Sequence, residues 1–262
     1  MALRISLIVP MYNDSEHLGK WLDSFSLQSA LPDEIIVVDG GSSDGSPNQV
    51  ENAMQDLGIN CTVIVDKQLN LKHHTGPIGA ARNVGIRMAT FEYIVCTDLG
   101  VIFSNDWFEG MRQALYKSSL VKGRYVTVSN TESRYDLGRS FTPSKKKYLS
   151  SKFLPSSRSI GFTKTIWSSV GGYPENSYTA EDTLFALKCS KYADYAPVDF
   201  GFVEWLLPTD EELALKIQNY AKGDKIQGLF YRKYLLKAVL WRLVLGSRRF
   251  IWRNETKGYW NK

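Results

Sequence analysis

The sequence predicts an α/β fold built on a mostly parallel sheet with helices on both faces. Three observations carry this. Four β-branched residues, Ile35-Ile36-Val37-Val38, form a run that stops at Asp39 and gives way at once to Gly40-Gly41-Ser42-Ser43-Asp44-Gly45. A second strand-like run, Ile5-Ser6-Leu7-Ile8-Val9, ends in a polar turn, Pro10-Met11-Tyr12-Asn13-Asp14. Strand-like and helix-like segments then alternate through the first hundred residues, and such alternation favours parallel strands joined by crossover helices.

The elements follow in order. Strand 4–9 leads to a helix near 15–29, with Asp14 or Ser15 as its N-cap. Strand 34–39 leads through a turn to a helix near 46–57 that stops at Gly58. Residues 61–65 form a third strand, 66–76 a loop, 77–89 a helix and 93–97 a further strand, a Rossmann-like order. After residue 100 the rhythm changes: a helix near 105–117 precedes a strand near 121–128. Residues 129–160, rich in Ser, Lys and Arg, read either as a functional lid or as a plain solvated loop. Residues 163–170 and 180–192 are expected to be helical and 195–203 to be the last strand. Segments 210–222 and 229–252 are again helix-like, so the chain divides into an α/β body, 1–208, with halves 1–100 and 101–208, and a helical C-terminal extension, 209–262.

Bulk properties exclude several classes. The 262 residues are 44% apolar and 23% charged, ordinary values for a globular protein. No run of eighteen uncharged apolar residues is present, so no membrane-spanning helix is expected. Arg4 is followed by only a short strand before Pro10, which does not fit a secretory signal. Cys61, Cys96 and Cys189 are distant and odd in number, as reduced core thiols of a cytoplasmic protein would be. The net charge of +5 is uneven: from residue 229 onward nine Lys and Arg face Glu255 alone, a surplus of +8 that leaves the rest at −3. The body therefore gives no reason to expect nucleic acid as a partner.

Chemistry-bearing residues cluster at predicted strand ends, where open α/β sheets bind ligands. The chain has no G-x-x-x-x-G-K-[ST], and Gly40, Gly41 and Gly45 do not fit G-x-G-x-x-G, which disfavours an ATPase or a dinucleotide oxidoreductase. Asp39 can accept hydrogen bonds from a base or ribose, or cap its own Gly/Ser turn. Tyr12, beside it, can stack on a base. Asp98 ends an apolar run, and a lone carboxylate there needs a sugar hydroxyl, a metal ion or a helix N-terminus, unless it is a turn residue. Arg82, in Gly79-Ala80-Ala81-Arg82-Asn83, offers a planar fork to phosphate or carboxylate, or pairs with a nearby Asp. Glu181 and Asp182 open a helix, where acids complement the macrodipole, or where one serves as a general base. Pro155-Ser156-Ser157-Arg158-Ser159 can bind phosphate or acceptor, or is simply loop composition. His73 and His74 lack metal-ligand spacing and read as surface residues.

Taken together these segments resemble the family 2 glycosyltransferases, inverting enzymes with the GT-A fold, over roughly residues 3–205. The resemblance rests on Ile8 to Asn13, Val38 to Gly45, Ala81 to Ile86, Thr97-Asp98-Leu99-Gly100, Val170 to Pro174 and Ala180 to Thr183, in that order and spacing. It implies that 1–100 is the nucleotide-binding half and 101–208 the acceptor half. It further implies that Pro10, Tyr12, Asn13 and Asp39 hold the base and ribose of a nucleotide-diphosphate sugar, and that Arg82 lies near the diphosphate. Asp98 matches the first acid of the Asp-x-Asp metal motif and Asp182 the base that deprotonates the acceptor hydroxyl; Arg158 and Glu181, which carry no role from the family, are assigned from their own chemistry to acceptor or phosphate. Gly100 replaces the second Asp, the main protein ligand of Mg²⁺ or Mn²⁺ in the usual arrangement, so a divalent ion would rest on Asp98 with waters and phosphate oxygens, another residue would substitute, or Arg82, Arg158 and lid lysines would neutralise the charge instead. The same departure keeps open a non-catalytic nucleotide-sugar-binding protein; a nucleotidyltransferase is disfavoured by the missing Gly-rich loop with its basic residue. The processive Q-x-x-R-W signature is absent, which points to transfer of a single sugar onto a glycan or lipid-linked acceptor. Residues 229–252 are basic and amphipathic, suited to the inner membrane surface or to docking on the body or a dimer partner.

Overall fold

Glu34–Asp39 is buried at every position, which marks it as a strand covered on both faces. The computed structural model, which describes residues 3–129, 142–151, 153–177 and 179–207, builds outward from this strand. The elements are β1 (Ile5–Met11), α1 (Ser15–Ser26), β2 (Glu34–Asp39), α2 (Ser46–Asp56), β3 (Cys61–Val65), α3 (Pro77–Met88) and β4 (Tyr93–Cys96). They continue as β5 (Val101–Phe103), α4 (Trp107–Lys117), β6 (Leu120–Ser129), α5 (Lys145–Leu149), β7 (Ile160–Thr163), α6 (Lys164–Ser169), α7 (Glu181–Cys189) and β8 (Ala196–Leu207).

Among the described residues the strands form one sheet in the order β3-β2-β1-β4-β7-β6-β8-β5. The first four pair in parallel, as the alternation predicts. Beyond β4 the sheet is mixed: β7 runs antiparallel to both β4 and β6, and β8 runs parallel to β6 but antiparallel to β5.

Pro10 lies inside β1, one residue past the predicted strand end. Alternation explains why it is tolerated there. Met11 O accepts from Gly40 on the β2 side and Ile8 O from Thr97 on the β4 side. Pro10 therefore turns its nitrogen toward β4, whose pairing with β1 ends at Ile8, and no ladder donor is lost.

Two cores sandwich the sheet. On one face Trp21 and Phe25 of α1 stack at 4.9 Å, with Phe103 edge-on to Trp21 and stacked on Trp107 at 4.5 Å. On the other face α3, α6 and α7 cover Ile8, Ile36, Ile94 and Phe162. Each fully buried large apolar side chain contributes about 1.5–3 kcal/mol relative to exposure. α3 lies close to the sheet because a Cβ at Gly85 would come within 2.7 Å of Ile8 Cγ2.

α1 ends at Ser26 rather than near 29, because Gln28 leaves the helix to bridge the β5–α4 corner: it donates to Ser104 O (2.8 Å) and accepts from Phe108 N (3.0 Å). Val101–Phe103, unassigned from sequence, pairs with β8, which runs to Leu207 and so past the expected end at 203. No helix among the described residues is long and apolar enough to cross a membrane. The expected helices 210–222 and 229–252, with the membrane-surface reading, lie outside the described residues, as do 130–141 of the lid segment.

Candidate active site

The loops that follow β1 and β2 are tied together by side chains. Asp39 Oδ2 accepts from Gly41 N (3.0 Å) and Ser42 N (2.9 Å), and Oδ1 from Ser42 Oγ. Asn13 donates through its N–H to Ser42 Oγ (2.8 Å) and accepts from Ser43 N at its Oδ1 (2.9 Å). Ser15 N donates to Asp44 Oδ2 at 2.8 Å. Of the two roles open to Asp39, capping its turn is what the fully buried carboxylate does; it fixes the shape that Gly40 to Ser43 present. Gly40 is required by space, since a Cβ there would meet Leu69 O at 2.4 Å and the Tyr12 ring at 3.2 Å. Tyr12 remains 40% exposed, its ring available for stacking.

A second cluster brings together the other residues singled out from sequence. Arg82, on α3, is 2% exposed; its Nη2 donates to Asp98 Oδ1 at 2.6 Å and its Nη1 to Glu181 Oε1 at 3.0 Å. Burial works against the charge on Arg82, but Asp98 and then Glu181 outweigh it and raise its pKa. Carboxylates therefore hold the fork for which phosphate was the other possibility. Arg158 brings a second guanidinium: its Nε lies 3.8 Å from Asp98 Oδ2, and its plane rests over Trp205 at 3.9 Å. Arg158 Nη1 donates to Ser156 Oγ (2.9 Å), which reaches Asp182 Oδ2 at 3.2 Å.

Glu181 and Asp182 open α7 behind Ala180, which adopts φ 65°, a left-handed conformation costing a non-glycine residue roughly 1–2 kcal/mol. Asp182 Oδ1 accepts from Thr183 N at 2.7 Å. Burial, and next the charge of Asp182, push the Glu181 carboxyl up to about 7, against the pull of Arg82. The two clusters adjoin: burial pushes the Asp14 carboxyl up, and the charge of Asp98 adds to this.

Sequence reasoning missed Asn83 as a structural clamp. Its Oδ1 accepts from Tyr173 N (2.9 Å) and Trp167 Nε1 (2.9 Å), while its Nδ2 donates to Tyr173 O and Glu175 Oε1, both at 2.8 Å. This clamp holds Tyr173 against Phe185, with ring centroids 3.9 Å apart, beneath Arg82. Only its place beside Arg82 hinted at the role.

The donor set for a metal is open. Among the described residues no group of three His, Cys, Asp or Glu could cage an ion. Yet three carboxyl groups, Asp98, Glu181 and Asp182, face two guanidiniums, Arg82 and Arg158, and a Cβ added at Gly100 meets nothing within 4 Å. An ion bound mainly by phosphate oxygens and water, with Asp98 its protein ligand, fits this arrangement.

The model of the family described as "Glycosyl transferase family 2" matches residues 6–169. The chain belongs to this family. It is 27% identical to the glycosyltransferase GlyG of Streptococcus pneumoniae over 52% of this chain and 43% of that protein. It is 24% identical to the O-antigen chain rhamnosyltransferase RfbN of Salmonella typhimurium over 71% of this chain and 60% of that one. The chain thus spans less than two thirds of these relatives' length. Among solved structures, S. aureus TarS 1-349 with UDP-GlcNAc superposes at TM-score 0.61, 19% identity, covering 98% of this chain and 78% of that one. The mannosyltransferase PcManGT of Pyrobaculum calidifontis, with GDP-Man and Mn²⁺, gives 0.62 at 20% identity over 85% and 62%. At such identities the structures establish the fold, GT-A.

Proposed function

We propose that the chain is an inverting glycosyltransferase that moves one sugar from a nucleotide-diphosphate sugar to an acceptor hydroxyl in polysaccharide or glycolipid biosynthesis. The observation that carries this is the continuous chain of contacts from Asp98, at the end of β4, through Arg158 and Ser156 to Asp182 at the start of α7. In this reading Asp98 is the donor-side acid and Asp182 the base, and Arg158 lies between them. A pure binding protein has no use for the base end of this chain.

That placement supports the following course for the reaction. The acceptor oxygen forms a bond to the anomeric carbon as the bond to the diphosphate oxygen breaks on the opposite side. Asp182 takes the hydroxyl proton, and such general-base help supplies ~10²–10⁴-fold in rate. The loops carrying Pro10, Tyr12, Asn13 and Asp39 receive the base and ribose, with Tyr12 stacking on the base. Arg82 acts through Asp98 and Glu181, whose positions it fixes, and Arg158 faces the phosphates. A Mg²⁺ or Mn²⁺ ion at Asp98 would offset the negative charge that develops on the leaving diphosphate. Relatives and neighbours that act on O-antigen or bind UDP-GlcNAc and GDP-Man support a glycan or lipid-linked acceptor and a nucleotide-sugar donor.

The test is nucleoside diphosphate release from a panel of UDP-, GDP- and dTDP-sugars, with water and with glycan acceptors, in Mn²⁺. Release from one donor class, accelerated by an acceptor, supports the reading. Binding of a donor without turnover under any of these conditions would contradict it.

A further inference from the structure

The segment 156–159 is serine-rich, and its serines serve separate partners. Ser157 Oγ meets Tyr173 OH at 2.9 Å, and Ser159 Oγ accepts from Trp107 Nε1 at 2.8 Å. The backbone of the turn is pinned as well: Ser159 N donates to Ser156 O (3.1 Å), Gly123 N to Ser159 O (2.9 Å), and Thr97 Oγ1 to Arg158 O (3.0 Å). A turn held at so many points has little freedom to reorient. Ser156 alone among its serines points its hydroxyl at the proposed base.

Resting on the transferase reading above, we propose that Ser156 is the positioning residue of Asp182, holding its carboxylate in the orientation that receives the acceptor proton. The direction of the hydrogen bonds supports this. A guanidinium can only donate, so the contact at 2.9 Å from Arg158 Nη1 makes Ser156 Oγ the acceptor there. The single hydroxyl hydrogen of Ser156 is then left for Asp182 Oδ2, at 3.2 Å. That distance is long for a hydroxyl on a carboxylate, as is common before substrate binds. Asp182 Oδ1 is fixed from the other side by Thr183 N at 2.7 Å. Oδ1 also accepts from Thr183 Oγ1 at 3.4 Å, while Ser156 is the donor on Oδ2, and an ionised carboxylate keeps further lone pairs for the acceptor hydroxyl. Because Arg158 Nε also faces Asp98 Oδ2 at 3.8 Å, the orientation of the base is tied to the donor side of the site.

Ser156→Ala and Ser156→Thr, in the full chain, test this. Release of UDP or GDP from the active donor is measured with water and with acceptor, and affinity for the same nucleoside diphosphate by calorimetry. The alanine variant should lose about 10- to 100-fold in kcat, the scale expected when a catalytic group drifts by an ångström. Its donor KM and nucleoside diphosphate affinity should stay within about twofold of wild type, since Arg158 keeps its contacts with Asp98 and Trp205 when the serine hydroxyl is lost. The threonine variant, which keeps the hydroxyl, should recover most of the rate. An alanine variant at full rate overturns the inference alone. So does a loss that appears in donor KM and nucleoside diphosphate affinity, which would make Ser156 a donor ligand, or a threonine variant that melts like wild type yet is as slow as alanine. A wild type that binds donor without turning it over overturns the transferase reading and this inference together.

Discussion

Arg82 and Glu181 lie 99 positions apart in the chain, yet their side chains meet at 3.0 Å. The contact joins α3 of the first half to the first turn of α7, and the same guanidinium holds Asp98 at the end of β4. One buried cation thereby sets the spacing of Asp98 and Glu181, the second of which is the chain neighbour of the proposed base Asp182.

Removing that cation takes from Glu181 its buried partner and leaves Asp98 with Arg158. Arg82→Ala should destabilise the fold by about 3–5 kcal/mol, the usual cost of breaking a buried pair from one side. Arg82→Lys should recover part of this, because a point charge cannot serve both acids with fork geometry. Urea unfolding monitored by fluorescence checks both, and a cost under about 1 kcal/mol for the alanine variant, the range of surface pairs, would contradict the buried bridge.

Glu181 gives stability a pH dependence of definite sign. Burial and the charge of Asp182 raise its carboxyl from 4.5 to about 7. The folded state therefore binds this proton more tightly than the unfolded chain does. Stability from this group is constant below about 4.5, falls as pH rises toward about 7, and levels off above. Melting temperatures measured from pH 5 to 8 should fall less steeply for Glu181→Gln than for wild type. Parallel curves would contradict the assignment.

Gly100 stands in open space, so Gly100→Asp should fold normally, within about 0.5 kcal/mol of wild type. It would bring a second carboxylate beside Asp98. The Mn²⁺ concentration giving half-maximal enhancement of nucleoside diphosphate binding, read by calorimetry, should drop, and a chelator should weaken binding in both proteins. Superimposable metal titrations would place the ion away from Asp98.

The parallel half of the fold was legible because uninterrupted β-branched runs such as Ile35 to Val38 have one good use, a strand covered on both faces. The mixed half was not, since β7 is four residues with nothing in their pattern to reveal direction. Asp39 and Asp98 stood out as carboxylates ending apolar runs, Arg82 as a guanidinium fork among small residues, and Glu181 as an acid opening a helix. What sequence left open was which partner: Asp39 turned inward to its own turn and Arg82 to two acids, choices made by distance in space. Asn83 and Ser156 were harder still, because a neutral polar residue carries no burial cost large enough to announce it, and Ser156 sits in a stretch whose composition suits any loop.

The central claim is that Asp182 is the base and lies outside the donor contacts. The most direct measurement is Asp182→Asn, comparing kcat for nucleoside diphosphate release with donor affinity by calorimetry. The account predicts a loss of about 10²–10⁴-fold in kcat with donor affinity retained. Turnover near wild type, or donor affinity collapsing together with turnover, would contradict it.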